Sequence, residues 1–262
     1  MCLLVLAWRA HPHYRLIVAA NRDEYHDRPA EPLAPWPAPP ALLAGRDLRA
    51  GGTWLGIDQR RRFGVITNYR EQPQISTDTP SRGGLIPEFL TDPAGAGDYL
   101  GALRPRAARY GGFNLLLADE HSLWYGSNRV APFARRLEPG VYGLSNHSLD
   151  SPWPKLTRVR SAFERWLADA PDGEDASAVL FGMLDDRRAA ATGTEPAHEG
   201  TPGSWERALS APFVEHPQFG TRCSTVLLLE PSGALHMSER RFDRHGRPVG
   251  QSEYRLAADQ WC

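Results

Sequence analysis

Cys2 stands directly after Met1 and opens a short apolar run, Cys2-Leu3-Leu4-Val5-Leu6-Ala7-Trp8. Removal of Met1 would leave a thiol and a free α-amine on one residue. Their reference pKa values are about 8.5 and about 7.7–8.0, so the amine can act as base to the adjacent sulfur. The plainer reading is a small apolar residue at the start of a strand. A polar tetrapeptide, Asn21-Arg22-Asp23-Glu24, follows a second apolar run. Strand ends present side chains to clefts, and a solvated strand exit is the alternative. An arginine beside a cysteine lowers the thiol pKa, and an aspartate can hold an ammonium or guanidinium in place. Asn68 and Asn146 each close an apolar run, where an amide can donate to an oxyanion. Arg82 beside two glycines suits either an anionic group or a loop salt bridge.

Positioning these groups requires strands. Residues 2–8 and 14–20 read as a buried β-hairpin turning at Arg9-Ala10-His11-Pro12-His13. That hairpin brings Cys2 and residues 21–24 to the same open end. Residues 29–40 carry six prolines and read as an extended connection, with a lid over a cleft as the other option. Gly51-Gly52-Thr53-Trp54-Leu55-Gly56 allows close backbone approach, but matches no Walker or dinucleotide loop. It opens a second hairpin, whose tip Gln59-Arg60-Arg61-Arg62 reads as a solvated turn. The chain is expected to enter a helix over 81–90, with further helices at 96–110, 155–168 and 175–186 and a surface loop over 187–204. Further strands are expected at 112–118, 122–126, 140–147, 221–229, 233–241 and 247–255. Alternation in Thr221–Val226 places Arg222 and Ser224 on one face and Cys223, read as a packed thiol, on the other. Hairpins imply largely antiparallel sheets, and the helices need apolar faces to cover.

Composition narrows the function classes. The 262 residues carry Lys+Arg 30 against Asp+Glu 31, which gives no basic excess for nucleic acid or an anionic membrane. Three widely spaced cysteines (Cys2, Cys223, Cys262) argue against a disulfide framework and for a reducing compartment. No pair has zinc-type spacing, and neither a metal nor a cofactor is called for. The first apolar run lacks a basic flank and is strand-length, and no segment has the length of a membrane span. The expectation is a soluble cytoplasmic protein, with 1–262 as one domain.

Taken together, these motifs resemble the NRDE family, also called the transport and Golgi organisation protein 2 family. The resemblance is carried by Met1-Cys2, Ala20-Asn21-Arg22-Asp23-Glu24, Gly51-Gly52-Thr53-Trp54-Leu55-Gly56, Thr67-Asn68-Tyr69, Ser81-Arg82-Gly83, Leu144-Ser145-Asn146 and Gly220-Thr221-Arg222, in that order. It implies an α+β fold like that of N-terminal nucleophile hydrolases, a four-layer αββα sandwich of two mainly antiparallel sheets. The same resemblance implies an amidohydrolase with Cys2 as nucleophile. Arg22 and Asp23 would flank it, Asn68 and Asn146 would line the oxyanion site, and Arg222 would be a second active-site arginine. Asn21, Glu24, Trp54, Tyr69 and Arg82 would meet the substrate. The family is linked to Golgi organisation, haem mobilisation and acyl-lipid metabolism. The resemblance therefore also admits a non-catalytic carrier of haem or an acyl group, with Trp36, Trp54 and Tyr69 as apolar walls and Arg82 or Arg222 meeting carboxylates.

Overall fold

A computed structural model of the chain describes residues 2–37, 41–70, 79–169, 175–190 and 203–262. In chain order, β1 (Cys2–Trp8) and β2 (Leu16–Tyr25) begin one sheet. A second sheet is built from β3 (Ala30–Pro35), β4 (Leu42–Asp47), β5 (Leu55–Asp58), β6 (Phe63–Asn68), β7 (Phe113–Ala118), β8 (Leu123–Ser127) and β9 (Ala134–Leu137). The chain then returns to the first sheet with β10 (Gly140–Leu144), β11 (Phe219–Leu229), β12 (Leu235–Phe242) and β13 (Pro248–Leu256). The first sheet runs in the order β10-β1-β2-β11-β12-β13 and the second in simple chain order, with every pairing antiparallel.

Each central strand is buried on both faces, which is why β1, β2, β7 and β11 read as nearly continuous apolar runs. Leu4, Leu6 and Trp8 of β1 and Leu16, Val18 and Ala20 of β2 fill the layer between the sheets. Leu3, Val5, Ala7, Ile17 and Ala19 point the other way, against α3 (Pro154–Asp169) and α4 (Ala176–Leu184). In α3 the contact is made by Leu156, Val159 and Phe163, spaced to share one helical face. The outer face of the second sheet is covered by α1 (Leu85–Thr91) and α2 (Ala96–Leu103). The result is an α+β, four-layer αββα sandwich, as the sequence resemblance implied. Leu227 is fully buried between the sheets. Leu227→Ala is expected to lower stability by about 2–5 kcal/mol in urea denaturation, from lost burial and the cavity left behind.

Several local expectations are corrected. Residues 30–35 form an edge strand, the place in a sheet where prolines are tolerated, and residues 38–40 lie outside the described residues. The turn Gln59–Arg62 is not simply solvated. The Arg61 guanidinium donates to the carbonyls of Gly233, Ala257 and Gln260 at 2.7–2.9 Å. Arg62 pairs with Asp58 at 2.8 Å and donates to the carbonyls of Leu90, Asp92 and Ala94 at the end of α1. The expected helix over 96–110 ends at Leu103 and continues as a 3-10 helix over Arg104–Arg109, which contains Pro105. Of the expected loop 187–204, residues 191–202 lie outside the described residues, and α5 (Gly203–Leu209) begins at its end. Among the described residues no helix is long and apolar enough to cross a membrane.

Candidate active site

The tetrapeptide Asn21–Glu24 does not follow β2 but lies inside it. β11 runs beside β2 from Leu229 opposite Leu16 to Phe219 opposite Tyr25, so backbone pairing carries the strand through four polar residues. On the other side, β1 pairs Leu3 with Asn21, and the backbone of Cys2 stands opposite Arg22. Alternation then sorts the tetrapeptide. Positions 16, 18 and 20 face the second sheet, so Arg22 and Glu24 turn toward a cleft between the sheets while Asn21 turns toward the helices.

Asn21 is correspondingly occupied. Its Nδ2 donates to the carbonyls of Leu184 and Pro212 at 2.9 and 3.0 Å, and its Oδ1 accepts from the Ser224 hydroxyl at 2.6 Å. It braces strand to helix layer rather than meeting a substrate. Asp23 is fully buried, and its Oδ1 accepts from the Thr221 hydroxyl at 2.7 Å. Burial lifts its carboxyl to about 6, against the pull of Lys155, the Thr221 hydrogen bond and Arg22. Lys155, itself buried, donates from Nζ to the Leu209 carbonyl at 2.6 Å.

In the cleft, the Arg22 guanidinium lies over the Trp54 indole, 4.1 Å from the ring centroid, with Nη2 4.0 Å from Asp47 Oδ2. Arg28 holds Asp47 more closely, at 2.7 Å, and stands 3.8 Å from Glu24. Asp47 Oδ1 also accepts from the amides of Arg49 and Ala50, at 2.9 and 3.1 Å. Burial raises its carboxyl, but Arg28 and these amides outweigh it and leave Asp47 below the ordinary carboxylate range.

Glycines set the opposite wall. The Trp54 ring rests on Gly45, where a Cβ would come within 2.4 Å of the indole. The backbones of Gly52 and Gly83 touch so closely that a Cβ on Gly52 would meet the Gly83 carbonyl at 2.4 Å, while Thr53 N donates to that carbonyl at 3.1 Å. Because both partners are main chain, neither can swing aside. Gly52→Ala is expected to destabilise by about 1–3 kcal/mol and to open the cleft, read as a lower urea midpoint and faster quenching of Trp54.

The cleft has a volume of about 110 Å³ and is lined chiefly by polar groups, including Arg22, Asp23, Glu24, Trp54, Asn68 and Arg82. Arg82 Nη1 donates to the Gly112 carbonyl at 2.8 Å. Asn68 is exposed at the end of β6, and its carbonyl accepts from Asn146 Nδ2 at 2.9 Å. Asn146 is buried, takes the Ser145 hydroxyl at 3.3 Å, and stands behind Asn68 rather than in the cleft lining. Tyr69 is also outside the lining, with its ring 5.1 Å from that of His147. Arg222 departs furthest from expectation. It is the extra residue of a β-bulge between Thr221 and Cys223, and its Nη1 donates to the carbonyls of Tyr25, His26 and Arg28 at 2.9–3.3 Å. It ties down the chain leaving β2 instead of lining the cleft.

Arg28, Asp47, Thr53, Thr221 and Lys155 were not singled out as site residues. The Asp47 turn had a signal, an aspartate two and three residues ahead of the amides it accepts, just before Gly51-Gly52. Among the described residues no group of three or more His, Cys, Asp or Glu side chains is arranged to hold a metal.

Comparison with known proteins gives a family match over residues 1–244, to Transport and Golgi organisation 2. The human Transport and Golgi organization protein 2 homolog is 34% identical over 260 residues, covering 92% of each chain. The Drosophila melanogaster Transport and Golgi organization protein 2 is 25% identical over 271 residues, covering 94% of this chain and 95% of that one. Among solved structures, the Caenorhabditis elegans ortholog of N-acylethanolamine-hydrolyzing acid amidase superposes with a TM-score of 0.49 at 11% identity, covering 87% of this chain and 92% of that one. A mutant conjugated bile acid hydrolase from Clostridium perfringens gives a TM-score of 0.47 at 8% identity, covering 98% of both chains.

Proposed function

The chain belongs to the Transport and Golgi organisation 2 family, and from that premise and the cleft geometry we propose that it is an amidohydrolase whose nucleophile is the Cys2 thiol. Cleavage between Met1 and Cys2 frees the α-amine as its base. The sulfur attacks the carbonyl of a linear or cyclic amide. The amine takes the thiol proton and delivers it to the leaving nitrogen, and water then releases the acyl group. Asn68, at the cleft surface, donates to the oxyanion, and Asn146 steadies it from behind. Arg22 lowers the thiol pKa, and Asp23 orients the ammonium.

One observation carries this reading. The β1–β2 register sets the Cys2 backbone opposite Arg22 and one residue from Asp23, and Arg22 and Asp23 line a polar cleft that also holds Asn68. The test is intact mass before and after a short iodoacetamide pulse, followed by hydrolysis assays on N-acyl amides of graded chain length. The expected result is a chain beginning at Cys2 with one thiol alkylated far faster than the other two. A residue retained ahead of Cys2 would overturn the mechanism, because an amide nitrogen cannot take the proton.

A further inference from the structure

Arg22 is about nine-tenths buried, with 6% of its surface exposed. A guanidinium carries five N–H donors, and burying it without hydrogen bonds is unfavourable. Yet Arg22 donates no hydrogen bond among the described residues. The Trp54 ring lies beneath it and the Asp47 carboxylate stands 4.0 Å away, beyond hydrogen-bond range, while the buried carboxylates Asp23 and Glu239 and the Arg222 guanidinium act on it only through space. Asp47 is already held by Arg28 at 2.7 Å, and Arg28 also stands near Glu24. The other acid of the lining, Asp23, is engaged by Thr221. The positive group of the lining that has no hydrogen-bond partner among the described residues is therefore the one stacked on Trp54.

We propose that Arg22, laid flat on Trp54, is an oxyanion receptor, and that the cleft takes a small molecule carrying a carboxylate or phosphate group. Stacking covers one face of the guanidinium and leaves its edge open, where parallel N–H groups match two oxygens of such an anion. Arg82, on the opposite wall, adds a second positive charge. The inference deepens the amidohydrolase reading by naming an anionic group on the substrate, and it rests on that reading only for the word substrate. Binding itself needs no turnover.

The experiment titrates the full-length Cys2→Ala protein, which binds without reacting, with glutarate, glutaramide and inorganic phosphate at low and high salt. The readouts are calorimetry and tryptophan emission. Glutarate or phosphate is expected to bind at least about tenfold more tightly than glutaramide, with affinity falling as salt rises. The ranking of glutarate against phosphate identifies which oxyanion the site prefers. Arg22→Lys keeps a charge but loses the fork and the stack, and is expected to weaken binding about tenfold or more. Trp54→Phe is expected to abolish the emission change and weaken binding, and decides the question if Arg22→Lys does not fold. Equal binding of glutarate and glutaramide, no binding of either anion, or unchanged affinity in a folded Arg22→Lys protein would overturn the proposal. If an anion binds through Arg22 while the unaltered protein cleaves no amide, the hydrolase reading falls and the receptor stands.

Discussion

Cys2→Ala is expected to lower amide hydrolysis by a factor on the order of 10⁴ or more while leaving the melting temperature within a degree or two of the unaltered protein. The two halves of this result have separate causes. Turnover falls because covalent catalysis needs an atom that both attacks and leaves, and a methyl group does neither. The fold stays because β1 is anchored elsewhere. Its pairing with β2 continues from Leu3 to Trp8, its pairing with β10 begins only at Leu4, and its burial is carried by Leu3, Leu4, Val5 and Leu6. Cys2→Ser should likewise fold and not turn over. Hydrolysis that survives Cys2→Ala in a folded protein would assign the chemistry to another residue.

Asp23→Asn is expected to separate stability from activity. In the folded chain burial keeps the Asp23 proton up to about pH 6, whereas an unfolded aspartate releases it near about 3.9. Between these values the folded state binds more protons than the unfolded one, so this group's contribution to stability falls as pH rises. The loss is complete above about pH 6–7 and amounts to on the order of 3 kcal/mol. An asparagine does not titrate but still offers Thr221 an acceptor. The stability difference between Asp23→Asn and the unaltered protein should therefore move in the variant's favour by roughly 2–3 kcal/mol from pH 4 to pH 7, as read by urea denaturation at each pH. Turnover should fall at least about a hundredfold over the same range, because the proposed ammonium loses its oriented counter-charge. A difference that is flat with pH would mean that Asp23 is ionised as readily in the folded chain as outside it.

Much of the architecture could be read before any coordinates, and the reason is burial on both faces. A strand covered by helices on one side and a second sheet on the other has to be apolar throughout, so residues 2–8, 113–118 and 223–229 announce themselves. Elements lacking that double burial were harder to see. The edge strand β3 contains prolines, β9 is four residues long and carries two arginines, and β4 ends in Gly45-Arg46-Asp47. None of them makes a clean apolar run.

The site divides along similar lines. Arg22, Asp23, Glu24, Trp54, Asn68 and Arg82 meet in one cleft because the motifs that contain them end or interrupt strands on neighbouring sheets. Asn21 does not join its neighbours in the cleft, because a strand deals its residues alternately to opposite faces and the tetrapeptide is no unit. That β2 continues through these residues depends on β11, nearly two hundred residues away, and no local pattern reports such a neighbour. Arg222 was misplaced for a related reason. The alternation assumed for it is broken by a bulge, which is a property of the paired strands and not of Thr221–Val226 alone.

The placement of the N-terminal hairpin at the centre of its sheet has a kinetic consequence. β1 and β2, made first, lie between β10 and β11, with Val5 opposite Gly143 and Ala19 opposite Val226. During synthesis the hairpin has no flanking strands until most of the polypeptide has left the ribosome, and pairings of such long sequence separation form slowly. On the proposed mechanism, this interval is when a processing peptidase would reach the bond ahead of Cys2. The wall that carries Arg22 and Asp23 closes only after residue 229 has emerged, so the site is assembled late in synthesis although its first strands are made earliest.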